Sequence, residues 1–257
     1  TVWRHRICGA TDGPAVPGNV SMGGVIGATD LPYAVEHLEV AWSDVTVPVP
    51  IRIWRSVGHS YNAFVIESFI DELAARAGAD PVAYRLRLLA GQPRLQRCLE
   101  RAAELAGWSR AAGEGRALGV AAGVWMGTHV AEVVEIDTVR VDRPTARQVW
   151  CVVDCGTVVH ADSAVAQVEG GILFGLGAAL YGGVQIRDGR VLDDNFHRHR
   201  LLRIDESPVV HVEFVASDAY PSGLGEASVP GIAPALANAW FRLSGERARR
   251  LPFVPAT

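Results

Sequence analysis

A carboxylate flanked by glycines carries the most chemical promise in this chain. Glu226 lies in Ser222-Gly223-Leu224-Gly225-Glu226-Ala227, directly ahead of a Pro- and Ala-rich stretch from Pro230 to Leu243. Glycine has no Cβ, so the backbone at Gly223 and Gly225 can approach a bulky ligand closely. The stretch that follows reads as a helix entered through Pro230 or Pro234, since proline is tolerated in a first turn. The positive end of such a helix attracts negative charge, which places a carboxylate there to accept a proton. A solvated loop glutamate fits the same local pattern, and the residues alone leave both readings open.

Other motifs are weaker. Gly58-His59-Ser60 resembles a nucleophile elbow only in part, because position 62 is Asn and no strand feeds the turn tightly. Gly175-Leu176-Gly177 lies inside a helical pattern and lacks the third glycine of a dinucleotide fingerprint. His197 and His199 would share a face of an extended segment, but Arg198 and Arg200 beside them repel a cation and no third ligand is evident. Gln167 sits one turn ahead of an apolar helix, where it either caps a surface or reaches a polar ligand.

Composition removes several chemistries. All 24 basic residues are arginine, so Schiff-base, P-loop and serine-lysine mechanisms lack their amine. Cys8, Cys98, Cys151 and Cys155 include no Cys-x-x-Cys pair. Cys151 and Cys155 fall on one face of a strand roughly 13 Å apart, too far for a disulfide, and read as reduced core thiols. A net charge of −4 and a pI near 6.1 give no footprint for nucleic acid or an anionic membrane. The apolar run Gly170 to Gly183 is shorter than the ~20 residues a bilayer requires, so no membrane span is expected. The chain starts at Thr1 and is expected to be processed or incomplete, with a cytoplasmic location as the default and a periplasmic one if a signal preceded it.

These residues need a scaffold, and periodicity predicts one. Residues 1–50 read as an irregular segment followed by a strand, His37 to Val47, ended by Pro48 and Pro50. Residues 51–115 read as a helical region: a loop, a helix Asn62 to Ala77 burying Phe64, Ile66, Phe69, Ile70 and Leu73, a second from Pro81 to Ala90 capped by Asp80, and a third from Arg94 to Ala106. Residues 116–257 read as an α+β region. It has strands at Leu118–Val124, His129–Val141, Arg147–Asp154 and Val209–Ala216, and a hairpin around Asp188-Gly189. It also has an almost all-apolar helix, Asp162 to Tyr181, whose Gly170, Gly171, Gly175 and Gly177 permit close packing, and it carries the candidate glutamate. The predicted class is α+β, with mixed sheets and packed helices.

Taken in order, four stretches resemble the molybdopterin-binding large subunit of the xanthine dehydrogenase and aldehyde oxidase family. They are Trp54-Arg55-Ser56-Val57-Gly58-His59-Ser60 with its following helix, Val153-Asp154-Cys155-Gly156, Gln167-Val168-Glu169-Gly170-Gly171, and Gly223-Leu224-Gly225-Glu226 running on to Ala239. The branch is that of isoquinoline 1-oxidoreductase and related bacterial aldehyde dehydrogenases, and the likeness covers essentially the whole chain.

The resemblance implies the C-terminal half of a cofactor-binding domain, with Glu226 as catalytic base. Gln167 would lie beside the pterin, with Arg55, Gly58, Leu224 and Gly225 around the cofactor. It implies molybdenum held by a molybdopterin cytosine dinucleotide with no protein ligand to the metal, and an aldehyde or N-heterocycle oxidised with water as oxygen donor. Electrons would pass to iron-sulfur clusters on a partner subunit. The family's N-terminal cofactor-binding segments have no counterpart here, so the chain is expected to need that half of the large subunit and to be inactive without it. The alternative is a non-catalytic remnant or assembly fragment that binds no cofactor alone.

Overall fold

In the computed structural model, which describes residues 2–10, 22–47, 49, 51–110, 113–137 and 143–254, the chain opens with a strand. This β1 (Val2–Gly9) pairs in parallel with β2 (His37–Asp44), Val2 opposite His37 and Gly9 opposite Asp44. Sequence reading had placed no regular element before residue 37. The reason is that Trp3 and His5 turn inward while Arg4 and Arg6 face solvent, so charge dilutes the apolar signal of a genuine period-2 strand. A single turn, α1 (Met22–Val25), lies between the two strands.

Three helices follow: α2 (His59–Arg76), α3 (Pro81–Leu88) and α4 (Pro93–Leu105). Asp80 caps α3 as its sequence requires, its carboxylate accepting from the amides of Val82 and Ala83 at 2.9 and 3.0 Å. The buried face of α2 differs from the expected one. Ile66 and Ile70 are buried, but Phe64 and Leu73 are half-buried and Phe69 is 43% exposed, edge-on to Trp3. Glu67 and Asp71 point inward instead.

Burial of those carboxylates is compensated. Arg85 of α3, fully buried, donates to Glu67 Oε2 at 2.9 Å and to the Glu67 carbonyl at 2.8 Å, and lies 3.7 Å from Asp71. Tyr33 OH and the Ala122 amide complete the shell of Glu67, and Arg247 bonds Asp71 at 2.6 Å. Pairing with an opposite charge is the form in which charge survives in a core, and here it holds even though Asp71 Oδ1 makes no hydrogen bond among the described residues. An apolar-periodicity reading cannot see such a pair.

The central sheet comprises β3 (Arg116–Trp125), β4 (Thr128–Asp137), β5 (Thr145–Asp154) and a later strand, β8 (Val209–Phe214), in the order β3-β4-β5-β8. The first three are antiparallel and β8 joins β5 in parallel. The strand expected to reach Val141 ends at Asp137, and residues 138–142 lie outside those described. Between β5 and β8 come α5 (Ala161–Tyr181), the hairpin β6 (Ile186–Arg187) and β7 (Arg190–Val191), and a 3-10 turn at Ile204–Glu206. The hairpin turns at Asp188 and Gly189, both at positive φ (51° and 72°), as a two-residue turn demands.

Both faces of the sheet are covered. Val120, Ala122, Ala131, Val133 and Val152 face α2 and α4, while Ala121, Val130, Val134, Val149 and Val153 face α5 and α6 (Ile232–Ser244). The α6 helix lies flush on β3 because position 119 is glycine: a Cβ there would fall 2.1 Å from the Ala235 carbonyl oxygen and 2.2 Å from the Ala239 nitrogen. The α5 glycines divide. Gly171 and Gly175 are in tight contact with the segment leading into α6, Gly170 faces open space, and Gly177 has only ordinary contact with Leu202. By length and composition alone α5 could also cross a membrane, a possibility that the shorter run Gly170 to Gly183 did not raise. Here Val168, Ile172, Leu176 and Leu180 bury one side of it in the sheet's core.

The fold is therefore α+β, with mixed sheets and packed helices, as expected.

Candidate active site

The segment Trp54 to Gly58, between β2 and α2, adopts an unusual path. Ser56 and Val57 both lie at positive φ, 74° and 49°, a region that side chains with a Cβ seldom enter and β-branched ones least of all. Such geometry persists only where surrounding contacts hold it. The contacts are present: the fully buried Ser56 donates its amide to Glu226 Oε1 at 3.1 Å and its hydroxyl to the Glu226 carbonyl at 2.6 Å. Ser60 Oγ donates to the Arg55 carbonyl at 2.9 Å, tying the loop to the first turn of α2.

Arg55 reaches the same place. Its Nε donates to the Gly225 carbonyl at 2.5 Å and its Nη2 to Gln167 Oε1 at 3.1 Å, while the guanidinium rests over the Phe174 ring at 5.5 Å. Trp54 stacks on Phe174 at 4.9 Å. Arg55 and Gln167, from distant parts of the chain, thus meet through a direct hydrogen bond, and Glu226 joins them indirectly, through Ser56 beside Arg55. Gly225 joins them through its carbonyl. Gly58 is buried at the N-terminal end of α2, and Leu224 packs half-buried against the core. A Cβ added at Gly223 or Gly225 would meet no atom within 4 Å, so the loop ahead of Glu226 borders open space.

The stretch Val153-Asp154-Cys155-Gly156, quoted from the sequence without a role, supports this loop. Asp154, at the end of β5, accepts two bonds from Arg94 (2.8 and 2.5 Å) and one from the Gly156 amide (3.1 Å), and Arg97 lies 3.6 Å away. Burial raises its pKa, but Arg94 and the Gly156 amide outweigh that and hold the carboxyl down at about 2. Gly156 is at φ 75°, and a Cβ there would come within 2.5 Å of the carbonyl oxygens of Ala219 and Tyr220. The Cys155 carbonyl accepts from the Ser222 amide at 2.8 Å, and Thr128 Oγ1 donates to the Gly223 carbonyl at 2.8 Å. The stretch Asp154-Cys155-Gly156 is therefore the brace against which the Ser222 to Glu226 segment lies. The Asp-x-Gly spacing after a strand was its only visible signal.

Other reactive groups are elsewhere. Among the described residues no three His, Cys, Asp or Glu side chains are grouped to hold a metal, and His197 and His199 stand outside the cluster. Burial pushes the Cys98 thiol up to about 12 and Cys151 well above its ordinary value, which suits core thiols and not nucleophiles. Burial likewise raises Glu132, whose Oε2 has no partner, well above the usual carboxylate range. A cavity of about 830 Å³, mainly apolar, adjoins the cluster; Trp54, Val57, Phe174, Gly175 and Val229 line it, but Arg55, Gln167 and Glu226 do not. We locate the chemistry at the polar cluster, where Arg55, Gln167 and the Glu226 loop meet beside open space.

Comparison with known proteins places the chain beside molybdopterin-binding proteins. A molybdopterin cofactor-binding domain family matches residues 87–208, a span that includes Gln167 but neither Arg55 nor Glu226. The chain is 38% identical over 212 residues to isoquinoline 1-oxidoreductase subunit beta of Brevundimonas diminuta, covering 81% of this chain and 27% of that protein. It is 34% identical over 223 residues to a membrane-bound aldehyde dehydrogenase (pyrroloquinoline-quinone) of Gluconacetobacter polyoxogenes, covering 79% of this chain and 29% of that one. It thus spans little more than a quarter of these relatives. In fold it matches the aldehyde oxidoreductase of Desulfovibrio desulfuricans (TM-score 0.73, 13% identity, 98% of this chain and 46% of that one). It also matches quinoline 2-oxidoreductase of Pseudomonas putida 86 (TM-score 0.72, 12% identity, 93% and 56%).

Proposed function

The chain belongs to the molybdopterin-binding large-subunit family of the xanthine dehydrogenase and aldehyde oxidase type, and from that membership we propose that it is the base-bearing part of a molybdenum hydroxylase. The observation that carries the proposal is the Glu226 carboxylate, held by the Ser56 amide in the same cluster as the Arg55–Gln167 pair.

The residues present suit a molybdenum-pterin group. Arg55 offers fixed donors, the exposed Gln167 amide offers both donor and acceptor, and the open side of Gly223 and Gly225 leaves room for a large polar ligand. Arg55, Gln167 and the backbone at Gly225 would hold it, in the cytosine dinucleotide form. When bound, the group supplies a two-electron acceptor and an activated oxygen derived from water.

The chain's own contribution is proton transfer. Glu226 takes the proton from the attacking oxygen as the substrate's C–H becomes C–OH, and two electrons and two protons are released overall for each water consumed. The Ser56 amide keeps the carboxylate oriented while it acts, and Arg55 fixes the loop on which it stands. The substrate class is an aldehyde or an N-heterocyclic aromatic, and electrons leave to iron-sulfur clusters on a partner subunit. Because the chain spans little more than a quarter of its relatives, the rest of the cofactor shell is assigned to further large-subunit polypeptide.

The test is Glu226→Gln in the assembled holoenzyme. Turnover should fall at least ~10²-fold, with molybdenum content by elemental analysis unchanged. Undiminished turnover would remove Glu226 from the chemistry, and a complete complex that binds no molybdenum would remove the family's reaction from this chain.

A further inference from the structure

We propose that Ser56 is the positioning residue for Glu226, and that the left-handed pair Ser56-Val57 exists to deliver it. The inference rests on the reading of Glu226 as base. Ser56 lies 170 positions from Glu226, yet both of its polar donors end on that residue: the amide on the carboxylate and the hydroxyl on the main-chain carbonyl.

With Ser56 at φ 74°, its main-chain amide points at Glu226 Oε1. The turn is held at its far end as well, where the Ser56 carbonyl accepts from the His59 amide at 3.0 Å and that of Trp54 accepts from Val57 at 2.9 Å. Ser56 is wholly buried, so water cannot replace its hydroxyl on the Glu226 carbonyl. Arg55, one residue earlier, bonds the carbonyl of Gly225, one residue before the base. Two consecutive residues of one loop thus grip two consecutive residues of the other. The arrangement restrains both the backbone and the side-chain direction of Glu226, and positional error at a proton-transferring group is costly to rate.

Ser56→Ala removes the hydroxyl and keeps the Cβ, while Ser56→Gly removes the hydroxyl and frees φ. In the assembled holoenzyme both variants should lose at least ~10-fold in kcat, with KM changed less than twofold and molybdenum content unchanged. If backbone shape alone mattered, Ser56→Gly would keep full kcat, and the proposal would fail.

A second readout needs no turnover. Hydrogen exchange followed by mass spectrometry should quicken in the peptide covering residues 54–60 when Glu226 is replaced by alanine, and in the peptide covering 223–228 in Ser56→Ala. Unchanged exchange in both peptides overturns the proposal, as does quickened exchange with full kcat in Ser56→Ala. If instead Glu226→Gln retains full turnover while exchange still quickens, it is the assignment of the base that has failed and not the contact.

Discussion

Asp154 offers a quantitative test of the brace beneath the Glu226 loop. Its carboxyl is fully buried and held down from 3.8 to about 2, a depression that corresponds to a few kcal/mol at most. Arg94, its main partner, is 30% exposed, and solvent screening reduces the expected stabilisation to about 1–2 kcal/mol. The sign follows from the depressed folded value: the contribution is fully present above the unfolded pKa of 3.8 and is lost as pH falls through that value towards about 2. Urea unfolding of the wild type and Asp154→Asn, followed by circular dichroism from pH 7 downward, reads it directly. The two stabilities should differ by about 1–2 kcal/mol at pH 7 and converge as the solution is acidified below pH ~4. A gap that stays constant with pH would show that Asp154 acts through packing alone, and a gap near zero at pH 7 would refute the brace.

Glu67→Gln leaves the buried Arg85 with only Asp71, at 3.7 Å, as an ionic partner among the described residues; unfolding free energy should drop by about 3 kcal/mol or more, and a loss below ~1 kcal/mol would contradict the network's role. Gly119→Ala places a Cβ against the α6 backbone, which cannot yield as a side chain would. A loss of about 2–3 kcal/mol is expected, with unaltered thermal stability as the contrary result. Arg55→Lys trades a two-pronged fork for a single flexible ammonium and cannot span Gly225 and Gln167 in the same way. Molybdenum content of the assembled enzyme should fall, and full loading would separate Arg55 from cofactor retention.

The parts of the fold set by local periodicity were legible in advance. The helix after Asp80-Pro81, the alternating strands from Leu118 to Asp154 and the Asp188-Gly189 turn each follow from chemistry within a few residues. Strand β1 was not, because its partner lies 35 positions along, at Val2 and His37, and its arginines mask the pattern. The inward turn of Glu67 and Asp71 was hidden for a related reason: only a distant Arg85 makes burial of a carboxylate tolerable. At the candidate site, Glu226, Gln167 and Arg55 were named individually; Arg55 bonds Gln167 and the residue before Glu226, and Ser56 links Glu226 to the same loop. Ser56 and Asp154 stood inside quoted stretches without a role of their own and Thr128 was not singled out, since the partners that give them one lie far along the chain, at Glu226, Arg94 and Gly223. Short polar residues in loops give no periodic sign of such tasks.

The pairing of Ser56 with Glu226 also fixes an order of events during synthesis. At ~5–20 residues per second, roughly 10–30 s separate the emergence of these two residues from a ribosome. Through that interval the Glu226 contacts, which offset part of the cost of ~1–3 kcal/mol for each residue held in a sparsely populated backbone region, are not yet made. A nascent chain can therefore complete its central sheet and still have no proton acceptor in place at this cluster.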